Sequence, residues 1–201
     1  MFIQVIQGKV ADVDGLRTAV ERWSDEIGPN VPGWLGTTGG VTADGTAIAI
    51  VRFESEDAAR RNSDTPAQQE WWAKTSGYFA GDVTFHDCAE VVKFLDGGSD
   101  DAGFVQVIQG RTTDADRMRQ MMTESSDALR EMRPDVIGGT VALHGDGGFT
   151  QTVYFTSESA AREGESKEAP PEMKEMDDEV ASLFTDAAYF DLTRPWMFTA
   201  K

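Results

Sequence analysis

The sequence predicts an α+β protein made of two tandem βαββαβ units. Three observations carry this. The opening run Phe2-Ile3-Gln4-Val5-Ile6-Gln7-Gly8 returns as Phe104-Val105-Gln106-Val107-Ile108-Gln109-Gly110, an offset of 102 residues. The offset holds without a gap through Asp12/Asp114, Arg17/Arg119, Pro32/Pro134, Asp44-Gly45/Asp146-Gly147 and Phe53/Phe155 to Arg60/Arg162. In each copy strand-like runs and helical periodicity alternate in one order. Two copies of this length are domains rather than solenoid turns. The chain therefore divides into residues 1–96, a Gly-rich linker at 97–103, and residues 104–201.

Each element has a local reason. Phe2 to Ile6 is β-branched and apolar, suited to a strand. Asp12 or Asp14 then caps a helix, because a short carboxylate accepts from the first unpaired backbone N–H groups. Leu16, Val20, Trp23 and Ile27 share one face of that helix, as do Met118, Met122 and Leu129 in the second copy. Asp12-Val13-Asp14-Gly15 lacks the later ligands and closing Glu of a calcium loop. Asp44-Gly45 predicts a tight hairpin, since the turn needs positive φ. The strand Thr46 to Phe53 is nearly continuous in small and apolar residues, the pattern of a strand covered on both faces. Ser55-Glu56 and Ser157-Glu158 open the second helices. In the first copy that region carries Trp71, Trp72, Tyr78 and Phe79. In the second it carries Pro170-Pro171, Met173, Met176, Val180, Leu183 and Phe184, with an acidic stretch Glu172 to Glu179 that reads as a solvated face. Final strands are expected over Val83 to Val92 and Ala188 to Phe198.

Composition narrows the function. There are 35 Asp and Glu against 18 Lys and Arg, a net charge of −17 and a pI near 4.4. Such a surface repels phosphate backbones, so nucleic acid is not an expected partner. No apolar run reaches the roughly 20 residues of a membrane helix, and the opening residues do not read as a signal peptide. The expectation is a cytoplasmic protein without membrane contact. Cys88 is the single cysteine, which excludes an internal disulfide and a cysteine-based zinc cluster. No phosphate-binding Gly-rich loop, nucleophile elbow or dinucleotide fingerprint occurs.

The order β-α-β-β-α-β is that of the ferredoxin-like unit. Pro32-Gly33-Trp34-Leu35-Gly36 is similar to a "PGxxG" entry into the second strand. Phe53-Glu54-Ser55-Glu56-Asp57-Ala58-Ala59 is similar to a "W/F-x-S-x-E-A" start of the second helix, and Thr65-Pro66-Ala67-Gln68-Gln69 to an "SPxFQ" segment. In these motifs the first half resembles the dimeric α/β-barrel superfamily, specifically its antibiotic-biosynthesis-monooxygenase-like domains. The second half keeps Phe155 to Ala161 but loses the Pro-Gly pair and the helix aromatics. The resemblance implies two ferredoxin-like halves forming an intramolecular dimeric α/β-barrel, a covalent pseudo-dimer whose strand edges leave room for a further homodimer.

It also implies a function: a cofactor-independent monooxygenase acting on a small hydrophobic aromatic or polyketide-like molecule, with no cofactor because the substrate supplies the electrons. The family pattern sets a Trp and a Tyr six residues apart on the second helix, with an Asn one turn earlier. Here these positions hold Trp72, Tyr78 and Gln68. Tyr78 and His86 are the candidates to handle a phenolic proton. Gln68, Trp72, Trp34 and Gln4 are candidate substrate contacts, and Lys174 and Val180 occupy the matching helix positions of the second half. An aromatic stripe at helical spacing also serves as core, so the alternative is a non-catalytic, stress-related or ligand-holding protein of the same fold. Haem is the lesser alternative. Haem-degrading relatives place a histidine on the second helix, whereas the two histidines here, His86 and His144, fall outside it.

Overall fold

A computed structural model describes residues 1–124, 126–167, 178–179 and 182–200. The first half runs β1 (Phe2–Lys9), α1 (Val13–Arg22), β2 (Trp34–Val41), β3 (Thr46–Phe53), α2 (Glu56–Ser63), α3 (Pro66–Thr75) and β4 (Thr84–Cys88). Then come β5 (Glu90–Leu95), β6 (Phe104–Thr112), α4 (Ala115–Glu124), α5 (Ser126–Met132), β7 (Val136–Leu143), β8 (Gly148–Phe155), α6 (Glu158–Glu165), β9 (Phe184–Leu192) and β10 (Trp196–Thr199). Pro170-Pro171, Met173, Lys174, Met176, Val180 and most of the acidic stretch lie outside the described residues.

The predicted caps form. Asp12 Oδ1 accepts from Gly15 N at 2.9 Å. Ser55 Oγ accepts from Ala58 N at 3.2 Å, and its repeat Ser157 from Ala160 N at 3.1 Å. The second helical region of the first half is two helices rather than one. Pro66 cannot continue α2, so it opens α3 with Thr65 as the cap, whose Oγ1 accepts from Gln68 N at 3.2 Å. The hairpin turn is as expected, with Gly45 at φ +78°.

Two antiparallel five-stranded sheets result, ordered β10-β2-β3-β1-β4 and β5-β7-β8-β6-β9. Four strands of each follow the ferredoxin-like order, in which the first strand lies between the third and the last. The fifth strand in each case comes from the end of the other half. The final strands expected as continuous are each broken. One part (β4, β9) pairs with its own half's first strand, and the other (β5, β10) joins the opposite sheet beside β7 or β2. Pro195 marks the second break, where it removes a ladder donor.

The exchange carries through to the compact units. The compact units are Met1–Glu90 with Arg194–Lys201, and Val91–Thr193, so the boundaries do not fall in the Gly-rich segment. That segment belongs to the second unit, where Gly103 N donates to Phe155 O at 3.0 Å. Each exchanged strand brings aromatic packing: Phe94 is 3% exposed in the core of Phe104, Met118, Phe149, Val153 and Phe155, and Phe198 packs against Phe2, Trp23, Trp34 and Phe53. Among the described residues no helix is long and apolar enough to cross a membrane.

The Phe94 ring lies so close over Gly139 that a Cβ there would sit 2.2 Å from it. Gly139→Ala is expected to displace β5 and to destabilise the second unit by about 2 kcal/mol. Urea denaturation checks this, and an unchanged midpoint would contradict the packing.

Candidate functional site

Helix α3 stands over the first sheet and sends its side chains into three spaces. Toward the centre of the sheet lies an apolar cavity of about 50 Å³, walled by Ile6, Ile48, Trp71, Trp72, Trp196 and Phe198. Toward the β1–β4 side lies an open cleft of about 230 Å³, lined by Gln4, Ile6, Gln68, Gln69, Trp72 and Phe85, with Ser63 and Trp71 completing it. On the outer side, between α1 and α3, is a groove of about 340 Å³ that carries Arg22, Glu26, Glu70, Lys74 and Tyr78.

A ladder of aromatic rings connects core to cleft. Trp34 meets Trp23 edge-on with centroids 5.0 Å apart, Trp23 meets Trp71 at 6.2 Å, Trp71 meets Trp72 at 6.1 Å, and Trp72 meets Phe85 edge-on at 5.3 Å. Buried indoles need acceptors. Trp34 Nε1 donates to Thr37 Oγ1 at 3.2 Å, Trp71 Nε1 to the Ala19 carbonyl at 2.9 Å, and Trp23 Nε1 to Gln68 Oε1 at 2.6 Å. The last bond fixes the Gln68 amide. An indole N–H must meet an oxygen, so the Gln68 amine is what remains for the cleft. Gln4 is fixed the opposite way: its Nε2 donates to Asp87 Oδ1 at 2.8 Å, which leaves Oε1 as an acceptor. Gln68 and Gln4 thus offer the cleft a neutral donor and a neutral acceptor beside the rings of Trp71, Trp72 and Phe85.

Of the six residues singled out in the sequence, Gln4, Gln68 and Trp72 meet in this cleft. Trp34 does not: it is 5% exposed and belongs to the core. Tyr78 lies in the outer groove, its ring packed so closely on α1 that a Cβ on Gly15 would be 2.5 Å away. His86 pairs with Val5, whereas its neighbour Phe85 pairs with Ile6 and faces the cleft. Because successive strand residues alternate, His86 projects from the sheet face turned away from α3. His144 Nε2 is hydrogen-bonded to Thr150 Oγ1 at 2.8 Å near the second hairpin. Among the described residues no group of three or more His, Cys, Asp or Glu could hold a metal ion.

Sequence reasoning missed Asp87, Phe85, Trp71 and Gln69. Asp87 had a readable signal. It sits opposite Gln4 in the sheet as Asp191 sits opposite Gln106, so the repeat extends to the last strands once an offset of 104 replaces 102.

The short Trp23–Gln68 bond should be measurable. Trp23→Phe leaves a half-buried carbonyl without its donor and is expected to cost about 1–3 kcal/mol. Equal urea midpoints for wild type and variant would show that the bond does not hold α3 in place.

No protein-family model and no curated protein matches the chain. Solved structures do match it. A putative monooxygenase from Lactobacillus acidophilus is 15% identical with a TM-score of 0.73, over 98% of this chain and 95% of that one. A second protein so named, from Fusobacterium nucleatum, is 9% identical with a TM-score of 0.78, over 98% and 94%. An anthrone oxidase-like protein is 9% identical with a TM-score of 0.69, over 98% and 92%. At these identities the likeness speaks to fold, and it spans both halves in every case. The chain has the fold of these three proteins, with two ferredoxin-like halves in one polypeptide.

Proposed function

We propose that the first unit binds a small, hydrophobic aromatic molecule in the cleft between α3 and the β1–β4 edge of its sheet. The observation that carries this reading is the convergence of Gln4, Gln68 and Trp72, with Phe85 and Trp71, around about 230 Å³ of open space. Concave sites lined by aromatic rings with a few fixed polar groups suit ring systems bearing hydroxyl or keto groups. A keto oxygen would take the Gln68 amine, and a hydroxyl would donate to Gln4 Oε1.

Binding without turnover is the reading the geometry favours. Tyr78 and His86, the two groups considered for a phenolic proton, both lie outside the cleft. The second reading, a cofactor-independent monooxygenase-like enzyme, is favoured by one observation. Asp87, a carboxylate able to accept a proton, is hydrogen-bonded to the cleft residue Gln4. Proteins of this fold include ones named putative monooxygenase, and such a reaction draws on a bound, electron-rich substrate, oxygen and a base.

Equilibrium dialysis with 2-naphthol under argon tests the binding. Trp72→Ala is expected to weaken it about tenfold, and Tyr78→Phe to leave it unchanged. A variant Trp72→Ala that binds as tightly as wild type would overturn the site. Oxygen uptake with a panel of quinols then separates the two readings. The binding reading expects the wild-type rate to equal autoxidation in buffer. Protein-dependent uptake that is lost in Asp87→Asn would establish the enzyme.

A further inference from the structure

The two units form an internal comparison. β4 sets Asp87 directly opposite Gln4, and β9 sets Asp191 directly opposite Gln106. In both, the glutamine Nε2 donates to the aspartate, at 2.8 Å in the first unit and 3.0 Å in the second. In the second unit a guanidinium completes the arrangement. Arg162 Nη2 donates to the other oxygen of Asp191, Nη1 donates to Glu165 Oε2 at 3.1 Å, and the group lies over the Phe104 ring 5.1 Å from its centroid. Carboxylate, amide and ring together make a receptor for a planar cation, filled by the protein's own side chain.

In the first unit, among the described residues, no cation takes the same place. Asp87 and Gln4 are retained, while Phe2 is 3% exposed in the core and does not line the cleft. Arg60, which matches Arg162, turns to Glu56 at 2.6 Å instead. Ser63 stands where the second unit has Glu165, so that position holds neither the second carboxylate nor its bulk, and Ser63 instead lines the cleft. Among the described residues no ion pair reaches Asp87. None of the cleft-lining side chains is cationic, and the chain's net charge of −17 favours the approach of cations over anions.

We propose that the first unit's cleft takes an aromatic ligand carrying a basic head, an ammonium or guanidinium, which docks on Asp87 where the second unit holds Arg162. The aromatic body rests against Trp72 and Phe85. Asp87 is thereby a specificity-determining residue that selects cationic over neutral or acidic aromatics. The inference rests on the reading of this cleft as the ligand site and adds the charge of the ligand to it.

Calorimetric titration of the full chain under argon with three isosteric probes tests the proposal: 2-naphthylmethylamine, 2-naphthylmethanol and 2-naphthoate. The amine is expected to bind about tenfold tighter than the alcohol, and the naphthoate weakest of the three. Asp87→Asn should bring the amine down to the alcohol's affinity without changing the alcohol's. Asp14→Asn, which removes an exposed charge from the first turn of α1, should keep the preference. Raising the salt from about 0.05 M to about 0.5 M should weaken the amine and spare the alcohol. Equal affinities for amine and alcohol in the wild type, or a preference that survives Asp87→Asn, would overturn the proposal. Alcohol binding that depends on Trp72 while the amine gains nothing would keep the cleft and remove the charge selection. No binding by any of the three would remove both.

Discussion

The pairing of β10 with β2 is the constraint on which the first unit depends. Without it β2 would be a sheet edge with a row of unsatisfied N–H and C=O groups, and such edges invite misassociation. With it, Trp196 to Thr199 run antiparallel to Gly39 to Gly36, and Trp196 and Phe198 arrive in the cavity beneath Trp71 and Trp72. Those indoles in turn carry α3 and the cleft. The last residues of the chain are therefore structural parts of the site in its first half. The second unit has the mirror requirement, met by β5 and the Phe94 ring. The exchange is reciprocal, with short connections at residue 89 and residues 193–195, and each copy takes its fifth strand from the other half.

The duplication also gives a physical account of the difference proposed between the two units. The two units keep the glutamine and aspartate on facing strands and diverge in what surrounds them. Glu165 and Arg162 fill the second unit's site with an ion-pair network, where charges hold one another and the arginine sits on a ring. Ser63, with Arg60 turned to Glu56, leaves the first unit's site open. A change of one side chain from carboxylate to hydroxyl alters both volume and the pull on the nearby arginine, so a filled site and an open one differ by little sequence. The aromatic residues of α3 are the other half of the divergence, since a cleft needs walls as well as space.

Much of the fold was legible because its signals are local. Caps at Asp12, Ser55 and Ser157, the Asp44-Gly45 turn and the strict offset between halves each follow from backbone chemistry that neighbouring residues specify. The exchange of the final strands was not legible. A run such as Val83 to Val92 looks like one strand by propensity, and nothing local says that its two ends pair with different sheets. The candidate site was legible in part. Gln4 stood out through the repeat, Gln68 and Trp72 through the family resemblance, and the three line one cleft. Tyr78 shares the spacing of a family pattern, but the helix ends before it, and its ring turns to α1. His86 was misleading because a shift of one residue in a strand exchanges faces: Phe85 and Asp87 took the inner side.

Hydrogen exchange resolved by peptide across a series of denaturant concentrations tests the central claim, that the C-terminal strand belongs to the first unit. Residues 196–199 are expected to lose protection together with β1 and β3, at the same denaturant concentration and with the same dependence on it. Loss of protection in step with β9 and β6 instead would contradict the exchange, and with it the account of how the cleft is built.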